Sequence, residues 1–367
     1  MSAPQFVHLR LHSEYSITDG IVRVGDAVKA AAADGMPALA LTDLSNVFGL
    51  VKFYSGARGK GVKPIAGADV WIANPDSPDD PFRLLLLAKN RQGYLQLSEL
   101  LTRAFVQADR HEKAEINREW LSVIGCDGLI ALSGAHMGDV GEALAAGNVV
   151  AATERAKAWE SLFPGAFYLE VQRFGQPQQE NIVQATADLA GELGIPLVAT
   201  HPIQFMEREH FRAHEARVCI AEGYTLGDTR RPRPYTEEQY FKTQAEMVEL
   251  FSDLPEALEN AVEIAKRCNI ELTLGKNFLP DFPTPEGMTI ADFLVAESKA
   301  GLEKRLEQLY PDPAVRLERR QEYDERLVFE CNTIIQMGFP GYFLIVADFI
   351  NWAKNNGVPV GPGRGSG

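Results

Sequence analysis

Two hydrophobic rhythms alternate along the first 275 residues. Short continuous apolar runs, of strand length, are followed by stretches whose apolar residues recur three and four apart, the spacing of one helix face. The runs predict strands over 6–11, 37–41, 63–72, 83–88, 128–132, 167–171 and 196–200. The helical spacing predicts helices over 22–33, 48–54 (stopped by Gly56 and Gly59), 91–108, 140–146, 149–162 and 178–193. Strands separated by helices imply a mainly parallel sheet, and their number suggests a barrel. Several predicted strands end in a polar or glycine cluster: Asp43, Asp69, Ser133, Glu170 and the 200–205 segment. Caps and turns need such residues anyway, so only their recurrence at one face makes a pocket.

After 205 the pattern is helical, over 211–220, 244–251 and 255–268. Pro280, Pro283 and Pro285 then fall within six residues and preclude regular structure. This places a first domain at 1–275, a linker at 276–286 and a second domain at 287–367. Beyond the linker, 290–309 and 314–337 read as long charged helices. In the second, Arg316, Arg319, Arg320 and Arg326 stand among Glu318, Glu322, Asp324 and Glu325. That is the pattern of a solvated face with pairs four apart; a phosphate-facing stripe is the sharper alternative. Phe339, Tyr342, Phe343, Leu344 and Ile345 are expected in a core, with a helix over 347–355.

Composition narrows the class. No apolar run is long enough for a membrane span, and the first residues lack the basic and apolar regions of a signal peptide. No membrane partner and a cytoplasmic location are therefore expected. Cys126, Cys219, Cys268 and Cys331 are far apart with no C-x-x-C spacing, which favours reduced thiols over a zinc site. A net charge of −14 argues against a chain-wide basic face for nucleic acid. Two acid-rich stretches, 76–80 and 207–215, read as solvated loops, with partner-contact surfaces as the sharper alternative.

Two stretches carry candidate chemistry. The first places His8, His12, Glu14 and Asp19 within twelve residues, at the end of a predicted strand. Barrels present metal ligands in this way, because side chains at the carboxyl ends of strands converge. The second is Gly361-Pro-Gly-Arg-Gly-Ser-Gly. Unshielded backbone N–H groups with Arg364 suit a phosphate, although the G-K-[ST] ending of a Walker loop is absent, and a tight turn is the bland alternative. A glycine run of this kind should lead into a following element, so the chain is expected to be part of a longer one.

Several segments resemble one family closely. They are Phe6-Val-His-Leu-Arg-Leu-His-Ser-Glu-Tyr-Ser, Met36-Pro-Ala-Leu-Ala-Leu-Thr-Asp-Leu44, Lys63-Pro-Ile-Ala-Gly-Ala-Asp69, Gly338-Phe-Pro-Gly-Tyr-Phe-Leu-Ile and Val358-Pro-Val-Gly-Pro-Gly-Arg-Gly-Ser-Gly. Together they resemble the alpha subunits of bacterial DNA polymerase III, the C-family replicative polymerases. The error-prone paralogue differs in its N-terminal segment. The resemblance covers essentially the whole chain. It implies a distorted (β/α)7 barrel of the polymerase-and-histidinol-phosphatase (PHP) type, followed by a helical segment leading into a polymerase-beta-like palm. There a Gly-Ser pair, here Gly365-Ser366, lies with Arg364 against the incoming triphosphate. The family's catalytic aspartates, with their Mg²⁺, come later than Gly367. The implied partners are the proofreading exonuclease subunit epsilon, docked on the PHP domain, and for the full-length protein the sliding clamp, the clamp-loader tau subunit, primer-template DNA and dNTPs.

Active PHP domains place nine ligands around three metals. Carried over by position, the opening His-x-His is Arg10-Leu-His12, and the following acid is Asp19. Asp-His becomes Asp43-Leu44, a glutamate becomes Asp69, and a histidine becomes Arg83. A cysteine becomes Ala135, and the late Asp-x-His becomes Pro202-Ile-Gln204. Only His12, Asp19 and Asp69 stay usable, and His8 and His201 read as core or surface histidines. No metal or catalytic residue is therefore expected in this stretch of chain. Arg10 and Arg83 are expected to replace the lost cations beside Asp19 and Asp69. The alternative is an active metal-dependent phosphoesterase or exonuclease.

Overall fold

The computed structural model describes residues 5–108, 113–276 and 278–363. They divide into two compact units, Met1–Leu272 and Thr273–Gly367. In the first, α1 (Val24–Ala33) precedes β1 (Ala38–Leu41), α2 (Leu50–Gly59), β2 (Lys63–Ile72) and β3 (Phe82–Ala88). Then come α3 (Arg91–Gln107), β4 (Glu115–Ile116), α4 (Arg118–Ile124), β5 (Leu129–Leu132), α5 (Asp139–Ala145) and α6 (Val149–Leu162). The unit ends with β6 (Phe167–Gln172), α7 (Gln179–Leu193), β7 (Leu197–Thr200), α8 (Phe211–Glu222), α9 (Gln244–Leu250) and α10 (Pro255–Arg267).

The seven strands form one sheet in the order β1-β2-β3-β5-β6-β7, with β4 beside β2. The sheet is mainly parallel, as its β1–β2, β2–β4, β5–β6 and β6–β7 pairings are, but β3 runs antiparallel to both β2 and β5. Residues 73–81 between β2 and β3 hold no helix, and a parallel return needs a crossover of about a dozen residues or more. Every residue of β3 is buried, which is why its sequence is one apolar run rather than an alternation.

The expected strand over 6–11 is instead an extended segment with interrupted pairing. The Ala40 N–H donates to the His8 carbonyl at 2.9 Å and the Thr42 N–H to the Leu11 carbonyl at 3.1 Å. The Leu11 N–H, however, donates to Thr42 Oγ1 at 2.9 Å, so a side chain takes a place in the ladder. On its other side the His12 N–H donates to the Ile203 carbonyl at 3.0 Å. β1 and the residues just past β7, the two ends of the strand order, thus meet on this one segment, and the sheet curls.

The main core lies between the sheet and its helices, with Phe6, Leu84, Leu129, Trp159, Phe167 and Phe251 fully enclosed or nearly so. A second cluster joins Leu11, Leu39 and Phe53 under α1 and α2. α2 continues through Gly56 rather than stopping there. Glycine costs a helix interior about 1 kcal/mol, which burial of Phe53, Tyr54 and Ala57 outweighs.

The described residues of the second unit form three helices, α11 (Ile290–Leu309), α12 (Pro313–Gln336) and α13 (Pro340–Asn355). α13 starts at Pro340, seven residues before the expected 347, with that proline in the first turn, where it is tolerated. Of the five residues expected in a core, Leu344 is buried, whereas Phe339, Tyr342 and Phe343 are exposed. Consecutive helical residues are spread around the axis, so 342–345 cannot all face one neighbour. Arg364, Gly365 and Ser366 lie outside the described residues.

Candidate functional site

The curled sheet brings polar residues from four places to one cavity of about 570 Å³. β2 supplies Asp69, and β3 supplies Arg83, which sits opposite Trp71 in the antiparallel ladder. β6 supplies Gln172 to the lining and, two residues before it on the same face, Glu170 beneath the lining against Arg10. The 10–20 segment supplies Arg10, His12 and Asp19. Its turn is fixed from below by Asp43, which accepts from the Ser13 N–H at 2.6 Å, Ser13 Oγ at 3.0 Å and Ser16 Oγ at 2.9 Å. Ile17 is held at φ 68°, an uncommon conformation for a β-branched residue. Gly20 closes the turn where a Cβ would come within 2.4 Å of the His12 carbonyl oxygen, so only glycine fits.

The cavity floor is an ion-pair network. The Arg10 guanidinium forks onto Glu170, Nε to Oε1 at 2.9 Å and Nη2 to Oε2 at 3.0 Å. Its Nη1 donates to Asp69 Oδ2. The same oxygen accepts from Arg83 Nη2 at 2.7 Å and faces His12 Nε2 at 3.1 Å. His12 Nδ1 lies 2.7 Å from Asp19 Oδ2. Asp19 Oδ1 accepts from the Gly20 N–H at 2.7 Å. Glu170 also accepts from the Gly134 N–H at 3.0 Å and Gln172 Nε2 at 3.0 Å, as well as from Thr200 Oγ1. Arg83 stacks over Trp71, its guanidinium carbon 4.2 Å from the ring centroid.

Burial sets the electrostatics. It disfavours the charged form of His12, yet Asp19 and Asp69 outweigh it and raise the imidazole from 6.5 to about 9. Burial would raise Asp19, but His12, Arg83 and the Gly20 N–H hold it well below the usual carboxylate range. Burial would likewise raise Asp69, and Arg10, Arg83 and His12 hold it low. Arg10 is pushed down by burial and further up by Asp69 and Glu170. Asp43 differs: burial raises it, against the hydrogen bonds from Ser13 and Ser16.

The structure brings together Arg10, His12, Asp19, Asp69 and Arg83, five residues singled out from sequence. Glu170 was legible only as a polar strand end, although its spacing from Gln172 placed both on one face. Sequence gave no sign of Trp71, Phe174 or Tyr235 as cavity walls. His8 is a core residue, its Nε2 2.7 Å from the Lys242 carbonyl oxygen, and burial lowers it to about 4.

The residues present do not fit a metal cluster. Among the described residues no group of three or more histidine, cysteine or acidic side chains is arranged to hold an ion. Asp69 Oδ2 is taken by two guanidiniums and an imidazole, and Glu170 by a guanidinium fork. A second cation placed among Arg10, Arg83 and His12 would meet like charge.

Family models match two parts of the chain: the PHP domain over residues 8–174, and the bacterial DNA polymerase III alpha NTPase domain over residues 292–367. Among curated relatives, DNA polymerase III subunit alpha of Neisseria meningitidis serogroup A is 58% identical over 100% of this chain. The Pseudomonas aeruginosa subunit is 56% identical over 99%, and that of Escherichia coli K12 is 50% identical over 100%. The chain covers 32%, 31% and 32% of these relatives, about a third of their length. With its curled mixed sheet, its PHP match and this identity along its whole length, the chain belongs to the DNA polymerase III alpha subunit family, matching a PHP-containing N-terminal region of its members.

Proposed function

We propose that this chain is the N-terminal part of a replicative polymerase whose full-length form extends DNA on a template, and that its PHP domain is a metal-free scaffold. The observation that carries the scaffold reading is the Arg10 fork on Glu170 together with its bond to Asp69. A hydrolytic PHP site needs ions to activate water. Here protein cations Arg10, Arg83 and His12 neutralise Asp19, Asp69 and Glu170 one for one. His12, Asp19 and Asp69 are on this reading the remnant of a ligand set, with Arg10 and Arg83 in place of ligands.

Supported by the family, we further infer that 1–275 forms the PHP domain, 276–286 a linker and 287–367 the start of the palm. Arg364, Gly365 and Ser366 would contact the triphosphate of the incoming nucleotide. Mg²⁺-dependent nucleotidyl transfer is assigned to the full-length protein, in the cytoplasm, working with sliding clamp, tau subunit, primer-template DNA and dNTPs. Among the described residues no single helix is long and apolar enough to cross a membrane. The scaffold's partner is the epsilon exonuclease subunit, docked on the PHP domain.

Elemental analysis of the purified chain after exposure to Zn²⁺, Mn²⁺ and Fe²⁺, run beside a phosphoesterase assay and gel filtration with epsilon, tests this. Sub-stoichiometric metal, no hydrolysis and co-elution are expected. Stoichiometric metal with phosphoester hydrolysis would sink the scaffold reading in favour of an active phosphoesterase.

A further inference from the structure

A second hollow, of about 460 Å³, shares no lining residue with the ion-pair cavity. The 13–22 turn forms one wall of it, through Glu14, Tyr15 and Ile21. That wall is held by its backbone: the Glu14 N–H donates to the Val22 carbonyl and the Ile21 N–H to the Gln204 carbonyl, each at 2.9 Å. Three further parts of the chain each bring a cation to the hollow: Arg23 just ahead of α1, Lys52 on α2 and Arg217 on α8. Arg23 and Lys52 are exposed, and Arg217 is half-buried beside the buried Val218.

These cations are poorly matched within the protein. Lys52 Nζ lies 3.3 Å from Glu14 Oε1 and 3.4 Å from Tyr15 Oη, both at the long end for a hydrogen bond. The guanidiniums of Arg23 and Arg217 have no ion-pair or hydrogen-bond partner among the described residues, in a chain with 50 acidic against 36 basic residues. Three cations stand against the single carboxylate of Glu14, an excess of two positive charges in one concave place. A cation is excluded by that excess. A nucleic-acid strand is disfavoured, because the chain carries a net charge of −14 and the hollow offers only Tyr15 for a base to stack on. A phosphomonoester fits: it carries a charge of about −1.5 to −2 at neutral pH and three strong acceptor oxygens, which guanidinium forks grip in pairs. The volume lies in the range of about 300–1,000 Å³ usual for small-molecule sites.

We propose that this hollow binds a phosphoryl dianion, free or at the end of a small molecule, held by Arg23, Arg217 and Lys52. Arg23 and Arg217 donate to its oxygens, and Lys52 turns from Glu14 toward it. Glu14 opposes the ligand and limits its affinity. The site lies outside the ion-pair cavity, so whether that cavity holds metal does not bear on it.

The test is calorimetry on the 367-residue chain at low salt, after EDTA treatment. Inorganic phosphate, glycerol 3-phosphate and dimethyl phosphate are titrated separately, with a 5′-phosphorylated DNA oligonucleotide as a fourth arm. At least one of the first two should bind saturably, and dimethyl phosphate, a diester with one charge, should bind at least about tenfold more weakly. Tighter binding of glycerol 3-phosphate assigns the hollow to a phosphorylated small molecule, and equal or tighter binding of inorganic phosphate assigns it to the free ion; either supports the proposal. Arg217→Gln should weaken binding about tenfold, the loss of one charge-assisted contact. Because Arg217 is half-buried, the exposed Arg23→Gln serves as a second variant, with the same loss expected and an unchanged melting temperature without ligand. Glu14→Gln should tighten binding about threefold, since it removes the one opposing charge. No saturable binding of either small phosphate, equal binding of the diester, binding of the oligonucleotide alone, or affinity indifferent to both arginine variants would each overturn the proposal. The metal analysis described above is read separately: stoichiometric metal counts against the scaffold reading, and failure to bind phosphate counts against this one.

Discussion

Two arginines, one in each unit, make almost the same bonds in opposite surroundings. Arg10 forks onto Glu170 at 2.9 and 3.0 Å and also reaches Asp69. Arg320 on α12 engages both oxygens of Glu303, one at 2.8 Å, and reaches Asp324 at 2.8 Å. The side chains of the first pair are 6% and 0% exposed, those of the second 37% and 52%. Bond length therefore says little about what either cluster contributes. At the surface, water and salt replace a missing partner. In the cavity floor nothing replaces it, so each charge depends on the next.

Removing the buried arginine should have the largest effect. Arg10→Ala leaves Glu170 with backbone, hydroxyl and amide donors but no cation, and takes one of three cations from Asp69. Truncating one partner of a buried pair typically costs about 3–5 kcal/mol, read as a lowered urea midpoint of the first unit. The pairing itself is not the source of that figure. Arg10→Met combined with Glu170→Leu, which removes both charges, should be less destabilising than either single change. A double variant as damaged as Arg10→Ala would show that shape, not stranded charge, dominates the floor.

The next effect is a pH dependence confined to the floor. His12 is raised from 6.5 to about 9, so its contribution is complete below pH 6.5 and is lost as pH rises through 9. At about 1.4 kcal/mol per pKa unit, stability should fall by roughly 2–3 kcal/mol between pH 6.5 and 9.5. Asp19 and Asp69, held low, act at the other end: their contribution is present above pH 4 and fades only in strong acid. Thermal melts from pH 6 to 9.5 should show this decline in the native chain and a flatter profile in His12→Gln. Equal slopes would remove His12 from the set of buried cations.

The two clusters also differ in how far sequence revealed them. At the surface the Arg320–Asp324 pair was readable from charges four apart on α12, since helix geometry alone pairs them, whereas Glu303 on α11, 17 residues from Arg320, was not. In the floor, Arg10, Asp69 and Arg83 were readable because they fall on family ligand positions. Glu170 was not, because a lone acid at a strand end looks the same whether it caps a helix or faces a pocket. Its partner is 160 residues away, and no local rule reports such a distance. The same reasoning separates β2 from the 6–11 segment. β2 is bounded by sequence because its apolar run is buried throughout most of its length. The 6–11 segment is as apolar, but its ladder is broken by the Thr42 hydroxyl, a tertiary contact. β3 reverses the sheet because its connection lacks a helix, a feature visible in the chain but outweighed by the alternation around it. Tyr342 and Phe343 failed as core residues for a related reason: apolar identity does not say which face of a helix finds a neighbour.

The smallest expected effect is at the surface, and it sharpens the comparison most. Arg320→Ala should leave the melting temperature of the chain unchanged within the error of the scan. Arg320 holds two carboxylates, but all three side chains remain in water, and the entropy lost in fixing long side chains offsets much of the Coulomb attraction. Whatever coupling a double-variant cycle of Arg320→Ala with Glu303→Ala detects at low salt should vanish at about 1 M NaCl, where the Debye length is only about 3 Å. The corresponding cycle on Arg10 and Glu170 should survive the same salt, since ions do not enter the floor. If salt erased both couplings alike, the buried network would be open to solvent, and the contrast between the two arginines would come down to sequence position alone.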